Sequence, residues 1–157
     1  MRQFDVICKV NVLSHEELSP EDKSLVAASK TATNGSYSPY SQFSVGAAIR
    51  MNDGSVYTGS NQENVSYPCG LCAERTALFY AAAEKKETPI AAIAISAKNK
   101  DGFLQKPITP CGLCRQALLE YEKKFGNKIK VLLNSENDVY VIESIEALLP
   151  LQFDSLD

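Results

Sequence analysis

The tetrapeptide Cys-Gly-Leu-Cys occurs twice, at 69–72 and at 111–114, and each copy runs straight into a helical pattern. Cysteine pairs in front of helices suit metal binding or redox work, because unpaired N–H groups and the positive end of the helix dipole stabilise thiolates there. The five cysteines are an odd number, which argues against a secreted disulfide framework and for chemistry in a reducing compartment. Cys8 stands apart. The alternation Phe4, Val6, Cys8, Val10, Val12 predicts it as a buried strand residue.

Three readings of the two pairs are open. A four-cysteine structural zinc knot staples loops, but its pairs are usually separated by roughly 15–20 residues, whereas a whole helix, strand and loop intervene here. A thioredoxin-like dithiol accounts for one pair and leaves the other idle. In the third reading both helix starts face one cation. Cys111 and Cys114, at the head of a helix after Pro110, can both reach it, and Cys72 precedes Glu74 by a spacing that sets a carboxylate beside a metal without making it a ligand. Three thiolates would leave a coordination position open, as catalytic rather than structural zinc does.

The rest of the chain reads as a single domain, 1–157, since 157 residues with 45% hydrophobic content can bury an ordinary core and no repeat or low-complexity linker interrupts them. Residues 1–13 read as an additional N-terminal strand. Ser19 as N-cap, Pro20 in the first turn and Asn34-Gly35 as a stop predict a helix between them. Residues 44–61 predict two strands around an Asn52-Asp53-Gly54 turn. There follow a helix over about 70–85, a strand over 90–97, a helix over about 112–124, strands over 128–134 and 139–144, and a short helix at Ile-Glu-Ala-Leu-Leu-Pro. Alternating strands and helices favour an α/β fold, a three-layer α/β/α sandwich with a mixed central sheet.

Charge narrows the partners. A net charge of −3 and a pI near 5.3, with scattered Lys and Arg, offer phosphate backbones little counterion release, so no nucleic-acid partner is expected. The longest apolar stretch, Ile-Ala-Ala-Ile-Ala-Ile-Ser-Ala, is too short to span a bilayer, and no targeting signal is visible. A cytoplasmic location with no membrane association is the expectation. The one histidine, His15, belongs to no motif and reads as a solvated surface residue.

Cys72-Ala73-Glu74 together with Pro110-Cys111-Gly112-Leu113-Cys114 matches the cysteine version of a known zinc-deaminase signature. The chain resembles the small homotetrameric cytidine deaminases from about residue 19 to 153, through Tyr-Ser-Pro-Tyr-Ser-Gln-Phe-Ser-Val-Gly-Ala-Ala-Ile, Gly-Ser-Asn-Gln-Glu-Asn-Val-Ser-Tyr-Pro, Cys-Ala-Glu-Arg-Thr-Ala, Pro-Cys-Gly-Leu-Cys-Arg-Gln and Leu-Leu-Pro-Leu-Gln-Phe. The resemblance implies one Zn²⁺ per chain on Cys72, Cys111 and Cys114, with Cys69 a bystander. It implies hydrolytic deamination of cytidine and 2′-deoxycytidine to uridine and 2′-deoxyuridine plus ammonia, as in pyrimidine salvage. Zinc lowers the pKa of bound water to about 7, which supplies a hydroxide to attack C4. Glu74 would shuttle the protons, and Arg75 would offset the excess negative charge of three thiolates.

The same resemblance implies that Asn61 and Glu63 hold the ribose hydroxyls, that Phe43 stacks near the pyrimidine and that Tyr67 joins the substrate-binding set. A carboxylate on the sugar repels phosphate, so Glu63 favours free nucleosides over nucleotides. Phe153 would reach a neighbouring subunit's site in a homotetramer whose sites lie at subunit interfaces. The N-terminal strand, Cys69 and the tail Leu-Pro-Leu-Gln-Phe-Asp-Ser depart from the family pattern. Two other functions fit the residues: an aminohydrolase for another cytosine-bearing small molecule, such as a nucleoside antibiotic, and a zinc-stabilised binding module without turnover.

Overall fold

The computed structural model describes residues 1–156. Its strands are β1 Asn11–Leu13, β2 Ser44–Met51, β3 Val56–Ser60, β4 Ile90–Asn99, β5 Gly102–Phe103, β6 Lys130–Asn134 and β7 Val139–Ile142. Its α-helices are α1 Pro20–Ala32, α2 Ala73–Glu84 and α3 Gly112–Phe125. The strands form one sheet in the order β1-β7-β6-β4-β2-β3, with β5 paired to β4. Among the described strands only β4 and β6 run parallel, joined by the crossover that carries α3, so the sheet is mixed.

The three layers follow from which face each strand residue buries. Ala48, Ala92, Ala94, Leu132 and Val141 pack with Leu25 and Val26 of α1 on one face. Ala47, Ile49, Ile93, Ile95, Val131 and Leu133 pack on the other face with Ala77 and Leu78 of α2 and Leu118 and Leu119 of α3. Alternation along β2 and β4 sends neighbouring residues to opposite cores, and both faces are buried, which is why these strands read as continuous apolar runs.

Two glycines let helices sit close to the sheet. A Cβ on Gly46 would lie 2.2 Å from the Ser29 carbonyl oxygen of α1, and one on Gly59 would lie 2.4 Å from the Ala77 nitrogen of α2. Backbone cannot yield as a flexible side chain can, so only glycine fits at either crossing. Helix α1 starts as its letters predict: Ser19 Oγ accepts from the Asp22 N–H at 3.2 Å. Asp22 is buried and binds both Arg50, at 2.9 Å, and Lys130, at 3.0 Å, so it ties α1 to β2 and β6.

Three expectations are corrected. The N-terminal strand is confined to Asn11–Leu13, paired with β7, while residues 1–10 form no strand. Cys8 is exposed, since pairing with β7 stops at Asn11 and in the same register Cys8 would fall opposite Ser144, beyond the end of β7 at Ile142. His15 is half-buried, with Nε2 2.9 Å from Asn134 Oδ1. That contact continues inward: Asn134 Nδ2 donates to Ser96 Oγ at 3.1 Å, and Ser96 and Ser29 share a hydroxyl bond of 2.7 Å. The short helix after β7 is a 3-10 turn, Ile145–Leu148. Among the described residues no helix is long and apolar enough to cross a membrane.

Candidate active site

Helices α2 and α3 present their N-termini to one place, and a cysteine stands at the N-cap position of each without a side-chain capping bond. Cys72 is the N-cap of α2 and Cys111 the N-cap of α3, both with extended backbone, and Cys114 lies in the first turn of α3. Leu71 leads into Cys72 held extended by reciprocal bonds with Gln62, the Gln62 N–H donating at 2.8 Å and the Leu71 N–H at 2.9 Å.

The sulfurs of Cys72, Cys111 and Cys114 all lie within 4.8 Å of one another. Cys72 and Cys111 are 3.9 Å apart, and Cys111 and Cys114 are 3.4 Å apart. Three sulfurs bound tetrahedrally at the usual zinc–sulfur length stand about 3.8 Å apart, so the cluster has the size and donor chemistry of a zinc site. Soft thiolates select zinc over magnesium or calcium. Cys114 is buried, Cys72 half-buried and Cys111 exposed, which leaves one side of the cluster open. Cys69 is exposed and lies outside the group.

The surroundings favour a shared negative charge. The Cys72 thiol is drawn well below its usual value by the hydrogen bond with Cys114, helped by Arg75, whose Nη2 lies 4.0 Å from its sulfur. Cys114 is pushed up by the same hydrogen bond, by burial and by the charge of Glu74. Among the described residues, Arg75 Nε is buried without a hydrogen-bond partner. The Glu74 side chain is only 4% exposed, and burial, reinforced by the Cys72 charge, raises its pKa above the ordinary carboxylate range. A protonatable carboxyl thus stands beside the thiols, and an environment that shifts both groups is typical of acid–base chemistry.

A cavity of about 580 Å³ opens next to Cys72, lined in part by Tyr40, Asn61, Glu63, Asn64, Tyr67 and Leu71. Its volume suits a small polar molecule. Among the residues expected to bind substrate, Asn61, Glu63 and Tyr67 line it, whereas Phe43 packs partly buried against the core and is not among its walls. Asn61 also holds the cavity together: its Oδ1 accepts from Ser36 Oγ at 2.6 Å and Val45 N–H at 2.8 Å, and its Nδ2 donates to the Phe43 carbonyl at 2.9 Å. Glu63 accepts from the N–H groups of Tyr40, at 2.9 Å, and Ser41, at 3.2 Å, and from the Ser41 hydroxyl. These bonds hold its pKa below the ordinary carboxylate range, with the Ser41 hydroxyl the largest cause. Tyr40 and Ser41 were not singled out from the sequence, although they lie in the segment 37–49 that carried part of the resemblance. Tyr40 also meets Tyr67 edge to face, ring centres 6.3 Å apart. Phe153 is 67% exposed, and its carbonyl accepts from Gln116 Nε2 at 2.8 Å.

The chain is similar to proteins named cytidine deaminase. The family described as "Cytidine and deoxycytidylate deaminase zinc-binding region" matches residues 19–126. The chain is 42% identical over 134 residues to the cytidine deaminase of Halalkalibacterium halodurans, covering 85% of this chain and 94% of that one. It is 38% identical over 133 residues to that of Sporosarcina psychrophila, covering 85% and 91%. Among solved structures, the cytidine deaminase from Burkholderia pseudomallei superposes with a TM-score of 0.71 at 41% identity, covering 83% of this chain and 97% of that one. The one from Mycobacterium tuberculosis gives 0.66 at 32% identity, covering 87% and 100%.

Proposed function

This chain belongs to the cytidine and deoxycytidylate deaminase family, and on that premise we propose that it hydrolyses cytidine and 2′-deoxycytidine to uridine and 2′-deoxyuridine with release of ammonia. The observation that carries the proposal is the convergence of three sulfurs within 4.8 Å beside a buried carboxyl and an open cavity. Cys72, Cys111 and Cys114 would hold one zinc per chain. Bound there, zinc supplies a Lewis acid that makes water nucleophilic near neutral pH.

The remaining work falls to the protein. Glu74 takes a proton from the attacking water and delivers it to ring N3 as the oxygen adds at C4; it then takes the second water-derived proton and passes it to the amine, which leaves as ammonia. Burial supports this role, because a carboxyl whose pKa lies above the usual range can both accept and return a proton at working pH. Arg75, close to the Cys72 sulfur, offsets thiolate charge that would otherwise weaken the Lewis acid. Asn61, Glu63 and Tyr67 line the cavity, which supports giving them the sugar and the base. Glu63 disfavours a 5′-phosphate by repulsion, so nucleosides rank above nucleotides.

The whole chain works in this reading as one deaminase domain. Tyr67, exposed at the cavity, and exposed Phe153 fit a homotetramer with sites at subunit interfaces, and five free thiols fit a reducing cytoplasm. The test is the fall in ultraviolet absorbance as purified protein converts cytidine, read with zinc per chain. Glu74→Gln should lower kcat by about 10²-fold to 10⁴-fold while zinc content and fold stay intact. Full turnover in that variant would remove Glu74 from the mechanism, and zinc without turnover on either nucleoside would refute the substrate assignment.

A further inference from the structure

The three thiols are not held equally. Cys114 is buried within α3, and Cys72 follows the bridge between Gln62 and Leu71, but Cys111 is exposed and follows residues 104–110, which form neither helix nor strand. A ligand at the end of such a loop needs a fastening, or its sulfur wanders relative to the other two.

One side chain supplies it. Arg115 Nε donates to the Pro110 carbonyl at 2.8 Å, Nη2 to Thr109 Oγ1 at 3.2 Å and Nη1 to the Leu148 carbonyl at 2.6 Å. The two residues just before Cys111 are thereby tied to the 3-10 turn Ile145–Leu148. That turn is itself anchored in the core: buried Glu122 accepts from Ser144 Oγ at 2.5 Å and from the N–H groups of Ile145, at 3.0 Å, and Glu146, at 3.4 Å, and a further bond, 2.8 Å from the Ile129 N–H, reaches the start of β6. A continuous line of bonds runs from a core carboxylate, through the turn and a guanidinium, to the backbone that carries the exposed ligand.

We propose that Arg115 is a positioning residue of the metal centre, which sets the place of the Cys111 sulfur and so how tightly the cluster keeps its ion. The proposal rests on the zinc reading above. Arginine is the residue for this task because its rigid planar fork meets three acceptors in three directions, while an ammonium of the same charge is a single point. Arg115→Lys therefore separates geometry from charge.

The experiment takes the zinc-loaded full chain and follows zinc transfer to an excess of a chromogenic chelator, alongside the visible spectrum of the Co²⁺-substituted protein. Arg115→Lys should release zinc about 10-fold to 100-fold faster and alter the cobalt bands, with far-ultraviolet circular dichroism unchanged. Gln116→Ala, which removes a side-chain bond to the Phe153 carbonyl rather than to the residues before Cys111, should release zinc at the parental rate. A parental rate and spectrum in Arg115→Lys would overturn the proposal, as would equal loosening by Gln116→Ala. If Arg115→Lys does not fold, Thr109→Val carries the test: removal of this exposed arm should speed release about threefold, roughly half a decade of the effect expected for such supporting groups, and a parental rate overturns the proposal. A parent that binds no zinc refutes the metal reading itself, whereas tight zinc in parent and Arg115→Lys alike refutes only the clamp.

Discussion

The two Cys-Gly-Leu-Cys segments are identical in letters and differ in where the helix begins. At 69–72 it begins after the second cysteine, so Cys72 is the N-cap and Cys69 stays behind, exposed, in the 3-10 turn Tyr67–Cys69. At 111–114 it begins after the first, so Cys111 is the N-cap and Cys114 is buried in the first turn. The cause lies outside the tetrapeptide. Leu71 is pinned extended by its bridge to Gln62, while Leu113 has no such bridge among the described residues and turns outward, exposed, on α3. Identical local sequence thus brings one cysteine of the first segment and two of the second into the sulfur cluster, because a tertiary contact chooses the helix start.

That asymmetry predicts an unequal response to the same substitution. Cys72→Ser should cut zinc affinity by more than about a hundredfold, beyond what loss of a merely supporting group costs. Cys69→Ser, at an exposed position outside the cluster, should leave zinc per chain at the parental value and stability within about 0.5 kcal/mol. Metal analysis after dialysis reads both. Loss of zinc from Cys69→Ser would erase the distinction between the segments and restore the four-cysteine knot.

How much of this was legible in the sequence differs along the same line. The mixed sheet and its helices were readable because Ser19, Pro20 and the Asn-Asp-Gly turn carry their own local instructions and the apolar runs of β2, β4 and β6 leave one way to bury them. The thiols could be grouped by spacing, and the family motif named which three, but Leu71's bridge joins residues whose pairing no periodicity announces. Nor did any pattern mark Arg115 or Glu122, since an arginine and a glutamate on a helix read as solvated until their carbonyl and N–H partners are in place. The N-terminal alternation misled for a simpler reason: period-two patterning states what a strand would bury, not whether a partner strand runs alongside it.

A sharper test acts on the bridge itself. Leu71→Pro removes the N–H that reaches the Gln62 carbonyl at 2.9 Å and leaves that carbonyl without its partner. The cost should be about 1–3 kcal/mol in urea-induced unfolding, with faster zinc release because Cys72 loses its approach. Unchanged stability and zinc release would mean that α2 starts at Ala73 for reasons within its own sequence.

The smallest effect compares the two glycines at matching places, and it should have opposite signs. A Cβ on Gly70 would lie 3.2 Å from the Tyr67 carbonyl oxygen and 3.5 Å from that of Gln62, whereas one on Gly112 meets nothing within 4 Å. Gly70 is extended, at φ −64° and ψ 146°, so alanine gains no helical preference there and must displace the turn that carries Cys69. Gly70→Ala should destabilise by about 1 kcal/mol, at the lower end of overpacking costs. Gly112 is the first residue of α3, where alanine restricts the unfolded chain and favours helix, so Gly112→Ala should stabilise by about 0.5–1 kcal/mol. Equal responses in urea unfolding would show that the two segments share one backbone environment, and the bridge at Leu71 could then no longer explain why only one cysteine of the first pair reaches the cluster.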